Sequence, residues 1–134
     1  MNFHLKVRQN MAISYKSENR PGYIYFLGEG IEAGLEENQQ IHQMIIDICK
    51  SHKCDHVMID DREVTYTASI FSIYELAKFY ATVGVPRYIK RAAVIANPKY
   101  NETNEFFENT TRNRGIDLRL FYNIEEAEAW LLEK

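Results

Sequence analysis

The sequence predicts an α/β protein in which an antiparallel front half feeds a parallel back half, in the order β-β-β-α-β-α-β-α-β-α. Two observations carry this. Three short apolar runs, His56-Val-Met-Ile-Asp-Asp61, Ala92-Ala-Val-Ile-Ala-Asn97 and Asp117-Leu-Arg-Leu-Phe-Tyr-Asn123, each lead into a helix-like stretch, the pattern of parallel strands with helical crossovers. Ahead of them, Phe3, Leu5 and Val7, then Met11, Ile13 and Tyr15, alternate with polar residues as half-buried strands do.

Taken in order, Gln9-Asn10 suits a hairpin between the first two strands. Asn19-Arg20-Pro21-Gly22 makes the next turn, because proline fixes one torsion and glycine permits the following one. Tyr23 to Leu27 forms a third strand, ended by Gly28-Glu-Gly30. A helix is predicted over 35–51, with Glu36 and Glu37 favourably placed in its first turn. The strand at 56–60 is followed by a polar connection at 61–67 and a helix at 68–83, closed by Gly84-Val-Pro86. That helix is expected to turn Ile70, Ile73, Tyr74, Ala77, Tyr80 and Ala81 toward the sheet. A strand at 91–96 leads through Asn97-Pro98 to a helix at 102–114, capped by Asn101 and closed by Gly115. Asn123 and Glu126 stand in capping-box spacing for a last helix, with Ala127, Trp130 and Leu131 inward.

The chain has 134 residues, enough for one domain with a core of its own, and no linker or repeat divides it. A net charge of −3 offers no general attraction to nucleic acid. No apolar run has membrane-span length, and the N-terminus lacks a signal-peptide block, so a cytoplasmic protein is expected.

The cysteine–histidine group Cys49, His52, Cys54 and His56 has a tempting metal spacing. Cys49 and His52, however, share a helical stripe with Ile41, Met44, Ile45 and Ile48, and Cys54 and His56 belong to the next turn and strand. No metal site and no cofactor are expected. Nucleophilic catalysis has no support either: a Gly-x-Ser-x-Gly elbow is absent, and a buried Cys49 thiol stays protonated.

Function is expected at the carboxyl ends of the parallel strands, where open α/β sheets bind their ligands. The candidates there are Asp60, Asp61, Thr65, Tyr66, Thr67, Ser69, Asn97 and Asn123. Thr67 or Ser69 at a helix N-terminus suits a phosphoryl group, while simple capping explains each residue taken singly. Phe71, Glu75 and Phe79 fall on the outer face of the 68–83 helix, where two aromatic rings suggest a contact surface unless neighbouring elements cover them. Arg87, Lys90 and Arg91 offer a possible anion contact ahead of the fifth strand. The Asp60-Asp61 pair has the look of a receiver domain's acidic pair, but it follows the wrong strand. The position of a phosphoacceptor aspartate holds Asn97.

Three features together resemble the STAS superfamily, in its SpoIIAA-like branch. They are the antiparallel meander, the strand Val57-Met-Ile-Asp60 running through a polar loop into a helix, and the ending Phe121-Tyr-Asn-Ile-Glu-Glu-Ala-Glu-Ala-Trp-Leu131. The resemblance implies a mixed sheet of about six strands with four helices chiefly on one face, and a non-enzymatic regulatory role. The Asp-Ser-Ser-Gly phosphorylation segment of anti-sigma-factor antagonists is replaced here by Thr65-Tyr-Thr-Ala-Ser69, so that role does not carry over to Thr67 or Ser69. A likeness to lipid-binding Sec14-type domains adds a ligand-binding alternative.

The leading expectation is therefore an interaction domain that binds a partner protein, or itself, through the 61–79 loop and helix. The alternative is a carrier or sensor for a small apolar or anionic ligand. An enzyme using Asp60 or Asp61 is a remote third.

Overall fold

The computed structural model describes residues 4–5, 12–32, 34–67 and 70–134, without the side chains of 4–5 and 70–72. The elements are β1 (His4–Leu5), β2 (Ile13–Arg20), β3 (Tyr23–Glu32), α1 (Leu35–Ser51), β4 (His56–Tyr66), α2 (Ile70–Thr82), α3 (Val85–Tyr88), β5 (Arg91–Ile95), a 3-10 turn (Pro98–Tyr100), α4 (Asn101–Arg112), β6 (Leu118–Phe121) and α5 (Ile124–Leu131). The six strands form one sheet in sequence order. β1, β2 and β3 pair antiparallel, whereas β3, β4, β5 and β6 run parallel. The predicted Gln9-Asn10 hairpin lies outside the described residues, as does Ser69.

The β2–β3 hairpin turns on Pro21-Gly22, with Arg20 opposite Tyr23 and Gly22 at φ +87°, which a side chain would resist. Both neighbouring strands are longer than the sequence suggests. β3 runs through Gly28 and Gly30 to Glu32, and the expected polar connection at 61–67 is mostly strand, since Glu63 to Tyr66 pair with Glu29 to Glu32. Each extension gives the other's backbone its hydrogen-bond partners, so two segments that read singly as loops form a parallel ladder together. Their register slips between Leu27 and Glu29, where Asp61 and Arg62 face Gly28 as a bulge.

Alternation along the strands divides the core. Ile24, Phe26, Val57, Ile59, Ala92 and Val94 face α1, α2 and α4. Tyr23, Tyr25, Met58, Ala93 and Ile95 face α5, which covers the other side with Ala127, Trp130 and Leu131. Asn123 caps α5 by accepting the Glu126 amide at 2.9 Å, and Arg91 closes its far end by donating to the Trp130 and Glu133 carbonyls, both at 2.7 Å.

α2 sits rotated from the expected orientation. Ile73, Leu76, Ala77 and Tyr80 are buried, while Tyr74 and Ala81 are exposed. The reason is α4, which packs beside α2 and brings Phe107 against Tyr80, so the helix is buried along two lines rather than one. Gly84-Val-Pro86 does not simply end the helix: Val85 to Tyr88 make a further helical turn that buries Val85. Asn101 lies inside α4 instead of capping it, and its side-chain oxygen accepts the Tyr122 hydroxyl at 2.8 Å.

Candidate functional site

The two aspartates end the apolar part of β4 on opposite faces. Asp60 is fully buried on the α5 side. Its carboxylate accepts the Tyr25 hydroxyl at 2.6 Å and the Arg62 guanidinium through Nε at 2.9 Å and Nη2 at 2.7 Å, together with the Arg62 amide at 3.2 Å. Burial pushes the Asp60 pKa up, but the bonds from Arg62 and Tyr25 outweigh it and hold the group below its usual range. With four donors around it and no exposure, Asp60 is a structural ion pair.

Asp61 faces α1, α2 and α4. One oxygen accepts the Tyr15 hydroxyl at 2.8 Å, and the other accepts the Tyr66 hydroxyl at 2.5 Å. Here burial dominates: removal from water raises the carboxyl to about 6, although the two hydroxyls favour its ionised form and oppose the rise. Tyr66 is fixed in turn by an edge-on contact with Tyr100, ring centres 5.1 Å apart. Glu32 lies in the same region. Its pKa is also raised, first by burial, with the Asn38 amide opposing and the Asp61 charge adding to the rise.

Two further side chains complete this polar corner. The Tyr80 hydroxyl and His42 Nδ1 share a hydrogen bond of 2.5 Å, and burial lowers the imidazole to about 4. The His42 ring stands edge-on to both Tyr80 and Tyr15, at 5.2 Å and 6.4 Å. The arrangement joins β2, β3, β4, α1 and α2 around one cavity. Chemically it can take up or release a proton at Asp61 near pH 6 and present hydrogen-bonding groups to a guest.

The remaining candidates are dispersed around this centre. Thr65 is exposed in β4, opposite Ile31. Thr67 is exposed, and its hydroxyl donates to the Glu32 carbonyl at 2.6 Å, tying the end of β4 to that of β3. Asn97 accepts the Lys99 amide at 3.0 Å and donates to the Arg62 carbonyl at 3.4 Å. Asn97 and Asn123 therefore both cap local turns at the carboxyl edge. Glu75 is half-buried and lies 3.7 Å from Lys78 Nζ. Phe79 is half-buried against the main core, with its ring 6.2 Å from that of Tyr80, so it is not the open aromatic contact expected. Among the described rings of α2, Tyr74 faces outward, 41% exposed, with the Arg114 guanidinium 4.8 Å and Lys78 Nζ 5.7 Å from its centre. The side chain of Phe71 lies outside the described set.

The cationic cluster falls at the opposite, amino edge of the sheet. Lys90 Nζ is 3.5 Å from Asp55, and Arg91 is committed to α5 and stacked near Trp130. Arg87 is exposed. Cys49 is buried in α1, and its thiol is pushed up to about 12 by that burial. Cys54 donates to the His56 carbonyl at 3.3 Å.

Tyr15, Glu32, His42 and Tyr80 were not legible as site residues in the sequence. The available signal was thin: Tyr15 and Asp61 are polar-tipped residues on inward-facing positions of two strands. Their partnership spans 46 residues of chain.

Solved structures share this architecture, two of them as follows. An anti-sigma factor antagonist from Mycobacterium paratuberculosis superposes with a TM-score of 0.58 at 13% identity, over 89% of this chain and 93% of that one. An uncharacterised protein with a SpoIIAA-like fold from Shewanella loihica superposes with a TM-score of 0.60 at 17% identity, over 94% of this chain and 99% of that one. The fold is STAS-like, of the SpoIIAA type. At these identities the likeness is one of fold. No family model and no curated protein matches the sequence. Among the described residues, no helix is long and apolar enough to cross a membrane.

Proposed function

We propose that this chain is a non-enzymatic regulatory domain that binds a partner protein through its 61–79 loop and helix, with Tyr74 as the anchor of the contact. The anti-sigma factor antagonist fold supports an interaction role, and the exposed Tyr74 ring between Lys78 and Arg114 supports the place. A tyrosine held by two cations is a large, pre-positioned contact with little side-chain freedom left to lose, the kind of residue that dominates binding energy at protein interfaces. The flanking charges favour a partner that brings an acidic side chain to the rim of the contact. Non-enzymatic action is the better reading of Asp60, which is sealed by Arg62 and Tyr25.

The test is capture of bound protein from lysate by the wild-type chain, Tyr74→Ala and Tyr88→Ala, read by native mass spectrometry. Tyr88 is an exposed ring at the far edge, near Lys50, and serves as the control. Loss of the captured protein with Tyr74→Ala alone supports the reading. Retention in Tyr74→Ala removes it.

A further inference from the structure

The sheet, α1, α2 and α4 line a cavity of about 90 Å³. Its walls are hydrocarbon: Ile13 rises from the sheet, Ile45 comes from α1, and Ile73 and Leu76 come from α2. A cavity lined only by such groups stays dry. This one also carries two carboxyl groups, those of Asp61 and Glu32, on residues only 7% exposed each. No lysine or arginine lines it among the described residues. Among the described residues His42 is the one basic side chain there, and its Nδ1 is already hydrogen-bonded to the Tyr80 hydroxyl.

A buried carboxylate is ordinarily matched by a cation, as Asp60 is matched by Arg62 one strand position away. Asp61 has no such partner among the described residues. Each of its oxygens accepts one tyrosine hydroxyl, where a carboxylate oxygen has room for two donors. The cavity thus has largely apolar walls, spare acceptor capacity at one end and a pair of acids that no described cation compensates.

We propose that the cavity binds a small hydrophobic amine, with its ammonium group between Asp61 and Glu32 and its hydrocarbon body among Ile13, Ile45, Ile73 and Leu76. The apolar walls select a cation that carries hydrocarbon. They do not suit a metal ion, and no group of three His, Cys, Asp or Glu side chains fit to hold one is found among the described residues. Size sets the rest. An apolar cavity of about 150 Å³ accepts benzene, so this smaller space of about 90 Å³ fits a hydrocarbon body of roughly four heavy atoms. The ligand is therefore cationic rather than anionic, and binding it does not depend on the outer face of α2 serving as a protein contact.

Calorimetric titration with isobutylamine, isobutanol and isobutyrate near neutral pH tests the proposal, because the three share a hydrocarbon body and differ in head group. The amine is expected to bind, the alcohol about tenfold more weakly or less, and the acid not at all, since a charge-assisted bond is worth more than a neutral one. Asp61→Asn is expected to lose about tenfold in affinity for the amine while leaving the alcohol unchanged. Glu32→Gln carries the same expectation should Asp61→Asn fail to fold. Leu76→Phe fills the space and is expected to abolish binding of both, with the circular dichroism of the folded protein retained. Absence of amine binding to the wild-type chain, an alcohol that binds as well as the amine, or unchanged amine affinity in both acid variants would overturn the proposal.

Discussion

Asp60 and Asp61 are consecutive residues of β4 whose carboxylates lie on opposite faces of the sheet, one bound by Arg62 and Tyr25, the other by Tyr15 and Tyr66. The alternation of a strand makes this unavoidable: neighbours along the chain cannot share a face. What reads as an acidic pair is two separate sites. Their environments drive the two groups apart, Asp60 below the usual carboxylate range and Asp61 above it. The first is an anchor and the second lines the cavity.

Removing Arg62 leaves Asp60 as a buried charge with only the Tyr25 hydroxyl and a backbone amide for support. Arg62→Ala is therefore expected to destabilise the protein by about 2–4 kcal/mol, toward the lower end of what breaking a buried pair costs because the arginine itself is partly exposed. Arg62→Lys recovers only part of this, since an ammonium cannot reproduce the two-pronged contact. Urea unfolding of the three proteins measures the order; equal stability of Arg62→Ala and wild type would contradict it.

The cavity's acid and its histidine oppose one another with pH. Asp61 is raised from 3.8 to about 6, so the folded chain holds its proton more tightly than the unfolded one. Its contribution is present below about pH 4 and is lost as the pH rises to about 6, an effect of order 3 kcal/mol. His42 is lowered from 6.5 to about 4, so its contribution is present above about pH 6.5 and is lost as the pH falls toward 4. Asp61→Asn should steepen the rise of stability with pH between 4 and 6.5, and His42→Gln should reveal a fall. Unfolding midpoints across that window show whether the two variants diverge in these directions; profiles parallel to the wild type would count against both assignments.

Gly28 is the space into which Tyr15 fits. A β-carbon there would stand 2.5 Å from Tyr15 Cε1 and 2.9 Å from its Cζ, with Val64 Cγ2 at 3.0 Å. Gly28→Ala is expected to cost about 1–3 kcal/mol by overpacking. It also displaces the hydroxyl that Asp61 accepts, so the ultraviolet spectrum of the buried tyrosine should shift. A fully stable, spectrally unchanged variant would show that the ring has room to give.

Cys49 should be inert in the native state. Its thiol is buried in α1 and held up to about 12, leaving a negligible thiolate fraction at neutral pH. Iodoacetamide followed by peptide mass spectrometry should find Cys49 modified only after denaturant is added. Rapid native labelling would mean that α1 opens readily.

The order of strands and helices was legible because each element carries its own periodicity: apolar runs of strand length, helical stripes such as Ile41, Ile45 and Cys49, and caps such as Asn123 that act on the next few residues. Parallel pairing of β4, β5 and β6 followed from the crossovers between them. The length of β3 and β4 was not legible, since Gly28 and the 63–66 segment become strand only by pairing with each other. Nor was the outward face of α2, because α4 decides which side of that helix is covered, and it exposes Tyr74 while burying Leu76. The cavity lay furthest from view. Tyr15, Glu32, His42, Asp61 and Tyr80 come from five elements, and only packing of the sheet against α1 and α2 brings them together. Local sequence sets local conformation through backbone preference and hydrophobic period; which distant side chains share a dry interior is decided when the layers close, and there the charge of Asp61 acquires its meaning.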